Sequence, residues 1–224
     1  MIYVMSDLHG CYDLYIKMLE KINFSDTDTL YVLGDVIDRG NEGIEILLDM
    51  MKRKNIIPLL GNHDYTALTL LKKLKKKATK ELLDIFKAWL SDGGITTYQK
   101  YKVLSDKEKA DIISYLDCFS IFEELEVQDR KFFMSHTVPS RELMLDFDNI
   151  NWQELIIGEC EYDKVYFEDK YIITGHTPTA LIDHTSRGKI LEYNNHIAID
   201  CGAFFTGILG CICLDTMEKF YVEK

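Results

Sequence analysis

The sequence predicts an α/β protein built as a sandwich of two sheets flanked by helices, on three observations. Short apolar runs at residues 2–6, 29–33 and 56–60 each end in a polar turn. The stretches between them, residues 12–22 and 43–54, carry apolar side chains at helical spacing. Beyond residue 120, brief strand-like segments return, separated by Gly and Asn or Asp. Apolar runs this short, bounded by turn residues, read as buried strands, and strands alternating with helices favour a parallel start.

Taken in order, the first five elements make a βαβαβ unit whose strands end at Asp-Leu-His-Gly, Gly-Asp and Gly-Asn-His-Asp. From about residue 65 to 117 the pattern becomes helical only, which predicts an insertion or cap; residues 80–90 place Leu82, Leu83, Ile85, Phe86, Trp89 and Leu90 at helical intervals. The lysines at 72, 73, 75, 76, 77 and 80 read as a solvated helix face with no part in a site. Strands are then expected at residues 121–127, 131–135, 171–174, 189–193, 197–200, 208–214 and 219–222, the later ones as antiparallel meanders. No repeat, low-complexity tract or linker interrupts the chain, so residues 1–224 are expected to form one domain.

A chain of 224 residues buries enough apolar surface to fold without staples, and its 47% hydrophobic content is that of a globular protein. The net charge of −11 opposes a polyanionic partner, so duplex nucleic acid is not expected. Six cysteines without a C-x-x-C pair read as reduced thiols. No apolar run approaches the ~20 residues needed to span a bilayer, and the first residues lack the pattern of a signal peptide. A cytoplasmic protein with no membrane partner is the resulting expectation.

Chemistry concentrates at five strand ends: Asp7-Leu8-His9, Gly34 to Gly40 with Asp35, Asp38 and Arg39, Gly61-Asn62-His63-Asp64, Ser135-His136 and Gly175-His176-Thr177. Four of the six histidines lie there. Divalent ions of borderline hardness bind mixed imidazole nitrogen and carboxylate oxygen, and a shared carboxylate allows two ions ~3.5–4 Å apart, with Asp35 the natural bridge. Manganese is the expected metal, with iron, zinc or nickel also suited to such donors. His184 and His196 match no motif and read as ordinary structural histidines, as Cys11, Cys211 and Cys213 read as packing residues.

In order and composition these motifs resemble the calcineurin-like metallophosphoesterase superfamily, and within it the phosphoprotein-phosphatase branch with its compact bacterial and phage serine/threonine phosphatases. The likeness runs through Trp89-Leu90-Ser91-Asp92-Gly93-Gly94 and Ile199-Asp200-Cys201-Gly202-Ala203, and so covers nearly the whole chain. It implies a four-layer αββα sandwich and a dinuclear-metal phosphoesterase. By the same resemblance Asp7, His9 and Asp35 would hold one ion, and Asp35, Asn62, His136 and His176 the other. His63, oriented by Asp38, would protonate the leaving oxygen, and Arg39 would grip the phosphate. The implied substrates are phosphorylated proteins or small phosphate monoesters, with dinucleoside polyphosphates or other nucleotide and phosphodiester substrates as the alternative. A scaffold that had lost its chemistry would have no need of the His63–Asp38 pair.

One departure bears on substrate. Relatives in this branch commonly place a second phosphate-gripping arginine shortly after a tryptophan, whereas here Asn151-Trp152-Gln153 is followed by Glu154. Either Arg141 substitutes, or one arginine and the metals suffice. Asp64, where many eukaryotic protein phosphatases have Glu, also occurs in symmetrical dinucleoside-tetraphosphate hydrolases.

Overall fold

The computed structural model describes residues 1–73 and 79–224. Its strands are β1 (Ile2–Met5), β2 (Thr29–Val32), β3 (Ile56–Pro58), β4 (Phe122–Val127), β5 (Arg130–Ser135), β6 (Lys170–Thr174), β7 (Leu191–Tyr193), β8 (His196–Ala198), β9 (Ile208–Cys213) and β10 (Lys219–Glu223). They form two mixed five-stranded sheets, in the orders β10-β9-β1-β2-β3 and β4-β5-β6-β8-β7. The expected parallel start is present: β1 pairs with β2, and β2 with β3, in parallel register. In the second sheet β5, β6 and β8 run parallel, while β4 and β7 pair antiparallel at its edges.

Side-chain alternation on each strand sorts the core into layers. Val4, Leu33, Leu59 and Ile212 from the first sheet meet Phe132, Met134, Ile173 and Ile197 from the second, all buried between the sheets. On the outer face of the first sheet, Tyr3, Met5, Leu30, Val32, Cys211 and Cys213 pack against α1 (Tyr12–Lys21) and α2 (Gly43–Met50), whose Leu14, Met18, Ile46 and Leu47 are buried there. Phe133 and Ile172 face the other way, onto Val138, Met144, Leu155 and Tyr166. Full burial of one such side chain stabilises by roughly 1.5–3 kcal/mol, and cutting Ile173 back to alanine would cost about 2–5 kcal/mol through the cavity left between the sheets.

The expected helical insertion is α3 (Asn62–Lys73), α4 (Lys80–Trp89), α5 (Ile95–Tyr101) and α6 (Asp106–Leu116). Thr79 caps α4 through Leu82 N–H, and Ser105 and Glu108 cap α6 reciprocally. Two details differ from the sequence expectation. Helix α3 starts at Asn62, inside the Gly-Asn-His-Asp motif, so Asn62 and His63 stand on a helical first turn rather than in a loop. The stretch Leu90–Gly94 is a kinked turn, broken where Gly93 takes φ 100°. Lys72, Lys73 and Lys80 are exposed, as a solvated face requires; Lys75, Lys76 and Lys77 lie outside the described residues. None of the described helices is long and apolar enough to cross a membrane. All six cysteines are free thiols.

Candidate active site

Parallel strands deliver their C-terminal ends to one side, and the five motifs meet there. Asp7 N–H donates to Gly34 O at 3.1 Å and His9 N–H to Asp35 O at 2.9 Å, which ties the β1 turn to the β2 turn. His176 N–H donates to Asp7 Oδ2 at 3.0 Å, which joins the second sheet to the first. The approach at this junction is close enough that a Cβ on Gly175 would overlap Asp7 Oδ2 and Ser6 Oγ. Left-handed backbone is concentrated in these turns: Asp7 (φ 54°), His9 (40°), Asp35 (51°), Asp38 (68°), Arg39 (66°) and His176 (66°). Such conformations cost non-glycine residues free energy and persist where the surroundings impose them, often at functional sites.

Three imidazoles have their tautomers set by second partners. Nδ1–H donates to Ile37 O in His9 (3.0 Å), to Leu33 O in His136 (2.7 Å) and to Asp38 Oδ2 in His63 (2.9 Å). In His9 and His136 Nε2 is thereby left as an acceptor facing inward, whereas in His63 it carries a proton whenever the ring is charged. Asp35 lies between two of them, with Oδ2 3.5 Å from His9 Nε2 and Oδ1 3.6 Å from His136 Nε2. Among the described residues it is the member common to both potential cation-binding groups, His9–Asp35–His63 and Asp7–Asp35–His136, in each of which the candidate ligand atoms lie within 4.8 Å of one another. A carboxylate presenting one oxygen to each side has the form of a bridge.

On the His136 side, Asn62 Oδ1 sits 3.0 Å from His136 Nε2 and 3.0 Å from His176 Nδ1, and the two nitrogens are 3.1 Å apart. Because His136 spends its proton on Leu33, these three acceptors share at most one proton among them. Ligand atoms held about 2.1 Å from one ion stand about 3 Å from their neighbours. The donor set and its spacing therefore fit a divalent cation.

Electrostatics agree. Burial pushes the Asp7 carboxyl well above its ordinary range, and the neighbouring Asp200 and Asp35 charges push it further. Asp200 is pushed up to about 7, by burial first and then by Asp35. Asp64, fully buried, is raised by burial and by Asp35. Burial holds His9 down to about 3 and His176 to about 4, so both rings are neutral at ordinary pH, the form in which imidazole can bind a metal. Buried carboxyls that crowding pushes towards the protonated form, beside neutral imidazoles, are groups that bound cations would hold ionised.

His63 and Asp38 lie beside this cluster. Asp38 Oδ2 also accepts Trp89 Nε1–H, and Asp38 Oδ1 accepts the Thr97 hydroxyl, both at 2.7 Å. The helical insertion thus supplies two of the three side-chain partners of Asp38. Burial lowers the His63 pKa, but the Asp38 hydrogen bond and the Asp35 and Asp38 charges outweigh it, for a net rise. Arg39 donates from its backbone N–H to Gly93 O at 3.0 Å, and its Nη2 stands 3.0 Å from His63 Nε2. Its other terminal nitrogen contacts His9 Nε2. A cleft of about 280 Å³ opens beside His63, lined by Asn62, Thr66, Ile85, Trp89 and Asp92.

All nine residues singled out from the sequence are brought together, and four others join them. Asp64 accepts the N–H groups of Val36, Ile37 and Gly61 from beneath the Asp35 turn. Asp200 accepts Gly202 N–H at 2.7 Å and interacts with the Asp7 and Asp35 charges. Trp89 and Thr97 are the partners of Asp38 just described. Asp64, Trp89 and Asp200 lie in stretches already marked by their motifs, but Thr97 carries no sequence signal. Arg141 is turned away: its Nε–H donates to Val165 O at 2.7 Å. The segment bearing Glu154 packs behind His136, where Thr137 N–H donates to Leu155 O at 3.0 Å, and Trp152 meets Tyr65 edge to face at 5.2 Å.

The family model for calcineurin-like phosphoesterases matches residues 1–199. Serine/threonine-protein phosphatase 2 of Salmonella typhimurium is 28% identical over 93% of this chain and 90% of its own length. The symmetrical bis(5'-nucleosyl)-tetraphosphatase of Buchnera aphidicola from Schizaphis graminum is 30% identical over 74% of this chain, which spans only 54% of that enzyme. Among solved structures, one assigned as a candidate diadenosine tetraphosphatase superposes with a TM-score of 0.71 at 17% identity, covering 99% of this chain and 92% of that one. A serine/threonine phosphatase from Saccharomyces cerevisiae gives 0.62 at 13% identity, covering 100% and 79%. At such identities the structural likeness is one of fold.

Proposed function

This chain belongs to the calcineurin-like phosphoesterase family, and on that premise we propose that it hydrolyses phosphate monoesters in the manner of a serine/threonine protein phosphatase. It is a metal-dependent phosphoric ester hydrolase. The observation that carries the finer reading is the placement of Arg39 and the Asp38-bound His63 against the converging ligand atoms of Asp35, Asn62, His136 and His176. Asp7, His9 and Asp35 would hold one ion, and Asp35, Asn62, His136 and His176 a second, with manganese the metal expected and iron, zinc or nickel suited to the same donors. Two such ions, when bound, supply an activated water and positive charge for the phosphoryl oxygens.

The remaining work falls to the chain's own side chains. Arg39 is placed to bind two phosphate oxygens through its planar fork. The carboxylate of Asp38 keeps the His63 proton on Nδ1 and supports the positive ring, so Nε2–H can pass its proton to the departing oxygen. Trp89 and Thr97 hold that carboxylate in place. The likeness to the Salmonella protein phosphatase runs over 93% of this chain, against 74% for the Buchnera tetraphosphatase, which favours the protein-phosphatase reading. Six free thiols suit a reducing, cytoplasmic setting.

A second reading, cleavage of dinucleoside polyphosphates, is favoured by the phosphate-gripping side. Arg39 is its only motif arginine, because Glu154 occupies the expected second position and Arg141 is engaged with Val165. Mn-dependent turnover of a phosphoserine peptide, para-nitrophenyl phosphate and diadenosine tetraphosphate, measured side by side, decides between them. Preference for the tetraphosphate over both monoesters would reverse the assignment. Glu154→Arg is expected to raise monoester turnover relative to tetraphosphate turnover, and an unchanged ratio would remove Glu154 from the argument.

A further inference from the structure

Two aromatic rings beside Arg39 have no part in the chemistry described above. Phe205 is 63% exposed and Phe204 38% exposed. Their rings meet edge to face at 5.3 Å. The Arg39 guanidinium carbon lies 5.2 Å from the centre of the Phe205 ring, within cation–π range. A phenylalanine exposed alone on a surface needs no explanation; this one stands against the phosphate-gripping side chain, and most of its surface is open.

The exposure is built into the turn. Residues Ala203–Thr206 form a single helical turn between Gly202 (φ 74°) and Gly207 (φ 75°). Asp200 Oδ1 accepts Gly202 N–H at 2.7 Å, and the Thr206 hydroxyl donates to Cys201 O at 2.9 Å. Ala203 and Cys201 are buried beneath. The turn is thereby anchored through Asp200 to the floor of the site, with both phenylalanine rings held outside.

We infer that Phe205, with Phe204 at its edge, is a specificity-determining subsite for a planar aromatic ring carried by the phosphate that Arg39 binds. Two sources share that chemistry: the aryl group of a phenolic ester and the base of a nucleotide. Phosphate oxygens lie about 2.8 Å from a guanidinium that grips them, and stacked or edge-on rings sit 4.5–7 Å apart. A ring attached to the same phosphate therefore falls within reach of Phe205, whereas an aliphatic alcohol offers it no π face. This inference rests on the phosphoesterase reading of the site and goes beyond the serine/threonine reading: a ring-selective subsite favours aryl or nucleotide esters over phosphoserine and phosphothreonine.

Calorimetric titration of the manganese-loaded protein with ligands that differ only in the ring is the test. Phenylphosphonate is compared with methylphosphonate, and adenosine 5'-monophosphate with ribose 5-phosphate. In the unaltered protein the ring-bearing member of at least one pair binds roughly tenfold more tightly. Phe205→Ala brings that ratio to about one, Phe205→Trp keeps it, and the pair that responds identifies the source of the ring. Ratios near one in the unaltered protein, or ratios that Phe205→Ala leaves intact, overturn the inference; so does an equal loss for both members of each pair, which would mean that the ring only steadies Arg39. Failure of the protein to turn over any phosphoester would defeat the phosphoesterase reading separately, while these binding ratios still decide the role of Phe205.

Discussion

The indole N–H of Trp89 donates to Asp38 Oδ2 at 2.7 Å, joining a helix of the insertion to the carboxylate that also bonds His63. With His63 as the proposed general acid, the insertion is part of the proton-handling machinery and does more than cover it. Trp89→Phe keeps most of the packing and removes the donor, leaving a fully buried carboxylate short of one hydrogen bond. A stability loss of about 1–3 kcal/mol in urea unfolding is expected, together with a severalfold fall in kcat and no loss of bound metal. Unchanged kcat alongside the lost stability would confine Trp89 to a structural role.

The raised pKa of His63 rests on Asp38 overcoming the effect of burial. A general acid works only while protonated, so activity should fall as pH rises through that pKa. Asp38→Asn removes the charge that favours the protonated ring, and the alkaline limb of the kcat profile should move to lower pH. His63→Asn should cost about 10²–10⁴ in kcat with both metal equivalents retained. A profile that Asp38→Asn leaves in place would argue against His63 as the acid.

Asp200, with Asp7 and Asp64, contributes to the pH response of the metal-free protein. Its folded pKa of about 7 lies above the ordinary 3.8, so its stabilising contribution is full below that ordinary value and is lost as pH rises toward 7. Chelator-treated protein should thus be weakened at pH 7.5 by this buried charge, and added Mn²⁺ should restore the lost melting temperature. Asp200→Asn keeps an oxygen for Gly202 N–H and removes the charge. It should raise the melting temperature of the chelated protein at pH 7.5 and flatten the difference between pH 4 and pH 7. A lower melting temperature for the variant would show that the carboxylate is worth more than its desolvation costs.

His196 acts with the opposite sign, away from the site. Its ring is sandwiched against Tyr162 at 4.8 Å, Nε2 meets the Thr174 hydroxyl at 2.8 Å, and Nδ1 is buried without a partner. Burial lowers its pKa from 6.5 to about 4, so the protein loses stability as pH falls across that interval, by about 3 kcal/mol in all. His196→Gln should remove that acid-side loss, seen as the difference between variant and parent unfolding free energies at pH 6.5 and pH 4. Parallel curves for the two proteins would mean that the ring is protonated in the folded state.

Much of this was readable from the sequence because the information is local. The runs ending at Asp7 and Asp35 announce strand and turn together, and glycine beside the polar residue marks where backbone must pass close to a ligand. Strand order was less legible: that β9 inserts between β1 and β10 depends on pairing Tyr3 with Cys213 across most of the chain. The short helices at Arg141–Met144, Glu154–Ile157 and Thr179–Ile182 are single turns, too brief for any periodicity to declare them. Thr97 and the cation–π contact of Phe205 were invisible for a related reason. Each depends on a neighbour distant in sequence, and neither residue type is unusual where it stands. Glu154 was conspicuous by contrast with relatives, while the engagement of Arg141 with Val165 appears only once the chain is folded.

The bond from His176 N–H to Asp7 Oδ2 spans 169 residues. Of the six proposed ligands, four follow the first parallel strands and two follow strands of the second sheet, so chains ending before residue 176 hold an incomplete set. Closing so long a loop carries an entropic cost that the contacts made on docking must offset. Tight metal uptake would then report completed folding of this protein, and a chain emerging from the ribosome would stay chemically silent until its two sheets have docked.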